Sequence, residues 1–254
     1  MTERAAPYPS VQPGDFEGAR SEGLHGDLRA AAALENAAKT RIVLRPLATP
    51  LPLGFLALFF ATVSAAGVEL GWVPVGQERF VAVGILLLSV PVQLISCVYG
   101  FLVRDLVAGT GMGVVAGTWA LFGAAVLLMA PGHRSAGLAW ALVLSGVALC
   151  VPAFAAMESK LLAGGVMLTT VLRWWLTAAY EWGAPHEVKL VAGAVGVALG
   201  ALALYASLAF ELEDQTRETV LPTFRRSSGL EAMTGDLGTQ VSRAQNEAGI
   251  RKQL

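Results

Sequence analysis

Six long apolar stretches fill the middle of the chain, and the charged residues concentrate at its two ends and in the short gaps between the stretches. The stretches are Pro46–Val68, Phe80–Val103, Leu106–His133, Ser135–Met157, Leu161–Tyr180 (interrupted by Arg173) and Leu190–Phe210. A helix needs roughly 20 residues to cross the hydrocarbon core of a bilayer. Because backbone polar groups must be paired inside lipid, each stretch is predicted to be a helix. The pattern therefore predicts an all-α membrane protein, a bundle of six transmembrane helices.

The composition agrees with this interpretation and divides the chain into three parts. Of the 254 residues, 55% are hydrophobic and 15% are charged, and the mean hydropathy is +0.59. We predict a cytoplasmic tail over residues 1–45, a transmembrane domain over 46–212 and a second cytoplasmic tail over 213–254. The chain leaves no room for a second globular domain.

The two tails are expected to hold little structure. Residues 1–26 are rich in Pro, Gly and charge and are expected to be disordered. Asp27–Lys39 is Ala-rich and is predicted to form a short helix with Asp27 as its N-cap. Beyond Pro222 the chain is polar and interrupted by Gly, so we expect it to be mostly flexible, with one weak helix at Thr239–Glu247.

Lysine and arginine residues are distributed unevenly between the two sides of such a bundle. One side has Lys39, Arg41, Arg45, Arg104, Lys160, Arg217, Arg225 and Arg226, and the other has Arg79, Arg134 and Lys189. The positive-inside rule then predicts that both termini are cytoplasmic. We expect a multi-pass protein of the inner (plasma) membrane. An even number of spans also requires the termini to share a side.

Several classes of function find no support in the residues. The chain has no basic patch with interleaved aromatic residues of the kind that binds nucleic acid. It also has no nucleophile beside a base, which an enzyme of that type would need. The spans contain no Asp and no paired carboxylates. Cys97 and Cys150 lie inside spans without metal-ligand spacing, so we expect no metal site and no cofactor.

The interior of the bundle is predicted to be lined by uncharged polar groups. The residues that we assign to a passage on this basis are Thr49, Thr62, Gln93, Thr118 and Thr169. Such a lining suits a small, weakly polar solute better than a dehydrated metal ion. Gly113–Gly117 and Gly196–Gly200 are small-xxx-small pairs, which let helices approach closely within a bundle or between subunits.

The starts of spans one and three could form a mouth for a small anion. Both spans point the positive end of the helix dipole toward the cytoplasm. Pro50 and Pro52 stand in the first turn of span one, ahead of Gly54, where a missing N–H costs little. Gly109–Gly113 exposes backbone N–H groups at the start of span three. Ordinary helix initiation is the alternative interpretation of the same residues.

Two motifs resemble the acetate uptake transporter family, of the YaaH or SatP type. Thr49-Pro-Leu-Pro-Leu-Gly54-Phe55 is similar to the family signature Asn-Pro-Ala-Pro-Leu-Gly-Leu. After span six, Arg217-Glu-Thr219-Val-Leu-Pro222 is similar to the family's end, which closes in Thr-Val-Leu-Pro. With the six spans in the same order between them, the resemblance covers about residues 46–222, and the chain is a divergent member on this reading.

The resemblance implies a six-helix protomer with its own central pore, assembled as a homo-oligomer, a hexamer. The family passes acetate and related small carboxylates such as succinate, as a channel or by proton symport. Its constriction is formed by an aromatic residue on span one, a Tyr on span three and a Leu on span five. These correspond here to Leu58, Ala116 and Leu168, of which Leu168 alone keeps the family's residue type.

Arg173 has no counterpart in the family. It could be a charge in the pore that attracts the solute, or it could snorkel to the interface or pair across a subunit contact. At 100° per residue it lies about 140° around the helix from Leu168. That angle argues against both residues facing one narrow pore.

The function predicted from the sequence is a membrane channel or proton-coupled transporter for small monocarboxylates. A first alternative keeps transport but changes the solute to ammonium or a small neutral molecule, since polar residues of the family's pore are missing. A second alternative is a non-conducting structural or regulatory membrane protein whose tails are its interaction arms.

Overall fold

The computed structural model describes residues 47–216 and 218–234, so the helices expected at Asp27–Lys39 and Thr239–Glu247 lie outside the described residues. Six of its helices are long and apolar enough to cross a membrane: α1 (Leu51–Glu69), α2 (Glu78–Leu102), α3 (Leu106–Leu128), α4 (Ala136–Ser159), α5 (Leu161–Glu181) and α6 (His186–Thr216). A shorter helix, α7 (Ser227–Thr234), follows them. The predicted fold class, an all-α protein with six membrane spans, is confirmed.

The six long helices form a closed ring in chain order. Each helix packs along its neighbours in the sequence, and α6 returns to pack along α1. Within the described residues no comparable backbone packing joins α5 to α1 or to α3. Side chains therefore fill the space between these helices. Trp119, Arg173 and Leu58 are among the largest of the fully buried ones.

The ring has two different ends, which we name by the segments they carry. The tail end carries residues 47–50 and the segment 218–234. The loop end carries the connections at residues 70–77, 129–135 and 182–185. Helices α1, α3 and α5 begin at the tail end and finish at the loop end.

Helix α2 is interrupted by a π turn at Ile85–Ser89. Pro91 follows in the first turn of the next α-helical segment. Proline has no N–H to donate, so it would break the interior of a regular helix. The Ser89 hydroxyl donates a hydrogen bond to the Ala57 carbonyl of α1 at 2.8 Å. Gln93, one turn later, is fully buried. The π turn thus precedes a segment whose polar side chains point into the bundle.

Glycine residues let α6 approach α1 closely. A Cβ atom at Gly200 would lie 2.3 Å from Cγ2 of Val63, and one at Gly196 would lie 3.0 Å from Cβ of Ala66. A side chain at either position would push the helices apart. The small-xxx-small pair of α6 therefore serves packing within the chain.

A buried carboxylate holds the segment after α6 at the tail end. Glu213 is 3% exposed, and it accepts hydrogen bonds from Nε and Nη2 of Arg225 at 2.7 and 2.8 Å. The hydroxyls of Thr219 and Thr223 donate to the same carboxylate at 3.2 and 3.4 Å. The two parallel hydrogen bonds from Arg225 fix the direction of the chain after α6.

Helix α7 packs against the end of α4. The Arg226 amide donates to the Ser159 carbonyl at 3.0 Å, and a Cβ at Gly229 would lie 2.3 Å from that carbonyl oxygen. We expected the chain beyond Pro222 to be mostly flexible, so this helix was not predicted. The boundary that we placed after residue 212 falls inside α6.

Candidate functional site

The start of α1 lies at a contact between helices. The Gly54 amide donates to the Pro50 carbonyl at 3.1 Å, and the Pro52 carbonyl accepts from the Ser207 hydroxyl of α6 at 2.9 Å. A Cβ at Gly54 would lie 2.5 Å from Sδ of Met112, so the glycine makes room for a side chain of α3. The residues assigned to the mouth of span one are buried in helix packing.

The start of α3 already holds a carboxylate. Asp105 accepts a hydrogen bond from the Ala108 amide at 3.1 Å through Oδ1, and its Oδ2 pairs with Lys160. A negative charge at a helix N-terminus is favourable because of the helix dipole. The Gly109 amide donates to the Asp105 carbonyl at 2.9 Å, and a Cβ at Gly109 would lie 2.9 Å from the Phe101 ring, so this amide is not open to an anion. The anion expected at this helix start is a side chain of the protein itself.

The threonine hydroxyls assigned to the passage bond largely to backbone carbonyls. Thr118 and Thr169 each donate to the carbonyl four residues earlier, both at 2.8 Å. Thr62 donates across to α6 at a long 3.5 Å, and Thr49 is half-buried just before α1. Because a hydroxyl has one proton to donate, Thr118 and Thr169 have no donor left for an anion.

The residues assigned to the constriction come from three helices that face one another across the ring. Leu58 of α1 and Ala116 of α3 are buried, whereas Leu168 of α5 is half-buried and packs against the core. Trp119, three residues after Ala116, is fully buried and provides a large aromatic side chain that we did not assign.

Four buried side chains carry nitrogen atoms that have no hydrogen-bond partner among the described residues. They are Nε2 of Gln93, Nε1 of Trp119, Nε1 of Trp174 and Nε of Arg173. Unpaired buried polar groups are rare, and water or a ligand commonly accounts for them. All four nitrogens are N–H donors, so an acceptor such as a carboxylate would complement them. Gln93 also carries a buried acceptor, Oε1, without a partner among the described residues.

A cavity of about 90 Å³ opens at the loop end. Every one of the six helices contributes to its wall, including Glu69, Glu78, Phe122, Leu138, Thr177 and Lys189. Because each helix of a closed ring reaches this cavity, it lies on the axis of the ring. At roughly 10–15 Å³ per water it holds several waters or a solute of a few heavy atoms.

Glu69 of the cavity wall pairs with a buried arginine, and Thr177 of the same wall bonds to the Glu69 carboxylate. Nη2 of Arg173 donates to Oε2 of Glu69 at 2.9 Å, and the Thr177 hydroxyl donates to Oε1 at 3.0 Å. Arg173 is 1% exposed and is not part of the cavity wall. Its guanidinium carbon lies 5.3 Å from the centre of the Trp119 ring, and a Cβ at Gly196 would lie 2.6 Å from its Nε. Glu69 therefore separates the cavity from the cation.

This pair places a carboxylate in a span and corrects one expectation. The uncharged stretch of span one ends at Val68, but α1 continues through Glu69, which is 7% exposed. Snorkelling and a subunit contact do not describe Arg173, because it is buried and pairs within its own chain. Of the two α5 residues Leu168 and Arg173, Leu168 lies nearer the surface.

The other carboxylates of the cavity fasten the connection at residues 129–135. Oε1 of Glu78 accepts from the Gly132 amide at 3.1 Å, and Oε2 of Glu181 accepts from the Ser135 amide at 2.7 Å. These bonds hold a loop beside the cavity and occupy one oxygen of each carboxylate.

Comparison with known proteins identifies the fold. No protein-family model and no curated protein matches the chain. Among solved structures, that of the bacterial acetate channel SatP matches with a TM-score of 0.62 and 20% sequence identity, over 70% of this chain and 99% of that one. At this identity the likeness shows that the two proteins share a fold.

Proposed function

We propose that this protein is a membrane channel for acetate and related small carboxylates. The observation that carries the proposal is the axial cavity, which all six helices line and behind which a buried arginine lies. The fold shared with a bacterial acetate channel supports the same class of solute.

Hydrogen bonding in the interior favours a carboxylate over a neutral solute. Arg173 is a buried cation, and Gln93, Trp119 and Trp174 carry N–H groups without partners among the described residues. A carboxylate has two acceptor oxygens and no donor, and its bonds to charged donors are the stronger kind. Acetate has the size that the cavity accommodates, and we propose succinate as a larger substrate.

The proposed passage continues from the cavity along the axis toward the tail end. Leu58 and Ala116 line its narrowest part, where an apolar constriction excludes water. Leu168 lies at its edge, half-buried and about 140° around α5 from Arg173. Because Leu58 and Ala116 are buried, conduction requires the side chains around them to move apart.

The carboxylates of the cavity favour a second candidate solute, ammonium. Glu69, Glu78 and Glu181 all line the cavity, and carboxylates attract cations. Each of them already accepts a hydrogen bond, and Glu69 is neutralised by Arg173. The N–H groups of Trp119 and Trp174, which have no partner among the described residues, suit an acceptor and not a cation, so we place carboxylates first.

We further propose that the tail end faces the cytoplasm in the inner (plasma) membrane and that six copies assemble into a hexamer. The excess of Lys and Arg near the tail end supports this orientation. The apolar outer faces, on which Leu87 is 74% exposed, suit lipid or neighbouring copies. Native mass spectrometry in mild detergent is expected to show the hexamer, and a stable monomer would contradict the assembly.

The experiment that tests the function is uptake of labelled acetate into proteoliposomes, beside protein-free liposomes. We expect acetate uptake above the protein-free control and no uptake of labelled ammonium above that control. Uptake with and without an imposed pH gradient separates a channel from proton symport. Ammonium uptake without acetate uptake would reverse the order of the two candidates.

A further inference from the structure

We propose that Arg173 binds the carboxylate of the solute and that Glu69 occupies this site in its absence, as a competitor built into the chain. The inference rests on the proposed function in taking the solute to be a small carboxylate. It assigns a role to an ion pair that the passage does not otherwise require.

The geometry at Arg173 is that of a carboxylate site that its internal ligand uses incompletely. Glu69 gives the guanidinium one oxygen, at 2.9 Å, and its other oxygen accepts from Thr177 at 3.0 Å. An arginine side chain has five N–H donors in a planar fork and binds a carboxylate best through two parallel hydrogen bonds. Here Nε has no partner among the described residues. A free carboxylate, which no backbone restrains, could take two of these donors.

The position of the pair gives the solute one direct route to the arginine. Glu69 and Thr177 line the cavity, and Arg173 lies behind them. A carboxylate that enters the cavity therefore meets Glu69 before the cation. Once displaced, Glu69 keeps its bond to Thr177 and turns into the cavity, whose wall also contains Lys189.

The pair also joins two helices that hardly pack on each other. Glu69 is the last residue of α1 and Arg173 lies on α5, and these helices lack close backbone packing within the described residues. The ion pair thus crosses the interior of the ring. A buried cation without a partner is strongly unfavourable, so either Glu69 or a solute must accompany Arg173. Binding of the solute then removes a connection across the passage.

A purely structural ion pair is the rival explanation, and rescue by an added carboxylate separates the two. The full-length Glu69→Ala variant in detergent micelles at pH 7 would be heated in sodium acetate, sodium chloride or acetamide at equal concentrations. Of the three solutes, we expect only acetate to restore most of the thermal stability that the variant has lost. No difference between acetate and chloride would overturn the proposal.

Glu213→Ala is the matched control, because it removes a buried carboxylate from an arginine at the tail end, away from the cavity wall. We expect it to lose stability that acetate does not restore. Equal rescue of both variants would show a general effect of acetate and would also overturn the proposal.

Two milder variants test the proposal if Glu69→Ala does not fold. Glu69→Gln removes the competing charge, and we expect its acetate affinity to be about tenfold higher than that of the unmodified protein. The double variant Glu69→Gln with Arg173→Gln leaves no buried charge, and we expect its affinity to be about tenfold or more below that of the unmodified protein. Unchanged affinity in both would overturn the proposal.

The outcome is distinguishable from failure of the proposed function. Acetate flux into liposomes without rescue or altered affinity would leave the channel in place and remove this site. Rescue of Glu69→Ala without flux would retain the site and remove the channel.

Discussion

Replacing Gly200 by alanine tests how closely α6 approaches α1. The added Cβ would lie 2.3 Å from Cγ2 of Val63, whereas carbon atoms rest at about 3.5–4.0 Å. Valine is β-branched and has little freedom at χ1, so its methyl group cannot turn away and the helices must separate. Overpacking of this kind costs typically about 1–3 kcal/mol. We expect Gly200→Ala to lower the free energy of unfolding by about 2 kcal/mol.

Gly117 on α3 provides the matched control, because a Cβ there would have no atom within 4 Å. We expect Gly117→Ala to be neutral or to stabilise by at most about 1 kcal/mol, since alanine favours helix more than glycine does. Unfolding of both variants in mixed micelles, titrated with SDS and followed by circular dichroism, measures the difference. A Gly200→Ala variant within about 0.5 kcal/mol of the unmodified protein would refute the packing argument. So would an equal loss in Gly117→Ala.

Three further predictions concern the gate, the tail end and the topology. Ala116→Trp should abolish acetate flux, and Leu168→Ala should have the smaller effect because Leu168 is only half-buried; normal flux through assembled Ala116→Trp protein would place the passage elsewhere. Glu213→Gln should speed trypsin cleavage of the segment after α6, because its bidentate bond to Arg225 is lost, whereas cleavage at the unmodified rate would show that this carboxylate does not hold the segment. Reporters inserted near His133 and His186 should be extracytoplasmic and those at the termini cytoplasmic, and a cytoplasmic signal from either loop would remove a span.

The six spans could be predicted because the bilayer imposes a local constraint. A stretch of about 20 uncharged residues must be helical in lipid, whatever lies elsewhere in the chain. The ends of the helices follow no such constraint. Helix α6 continues to Thr216, six residues beyond the last residue of the predicted span, because polar residues continue a helix once it has left the membrane.

The pairing of Glu69 with Arg173 could not be read from local pattern. The two residues are 104 positions apart, and their contact depends on the depth and rotation of two helices. One signal in the sequence was available, because an arginine inside a span needs a partner at the same depth. Glu69 was the candidate partner. It directly follows an uncharged stretch, and a span defined by uncharged residues alone ends before it.

The C-terminal segment is a second case in which local composition did not predict a contact. Its polar, glycine-containing composition predicts a segment outside the membrane but says nothing about docking. Gly229 interrupts helix propensity, yet its missing side chain is what lets the segment lie against Ser159. Composition reports the average preference of a residue, whereas packing uses its particular shape.

The π turn at Ile85–Ser89 makes α2 unusually tolerant of a change in chain length at this point. A π turn closes a hydrogen bond over one residue more than an α-helical turn, so deleting one residue within it would leave a regular helix. Because the turn already absorbs the additional residue, both halves of α2 would keep their faces, and Gln93 would stay in the interior. The same deletion in a regular part of α2 would rotate one half against the other by about 100°. Loss of a single codon would therefore be absorbed at the π turn but would reorient a polar face of the bundle elsewhere in the helix, while the number of membrane crossings stayed the same.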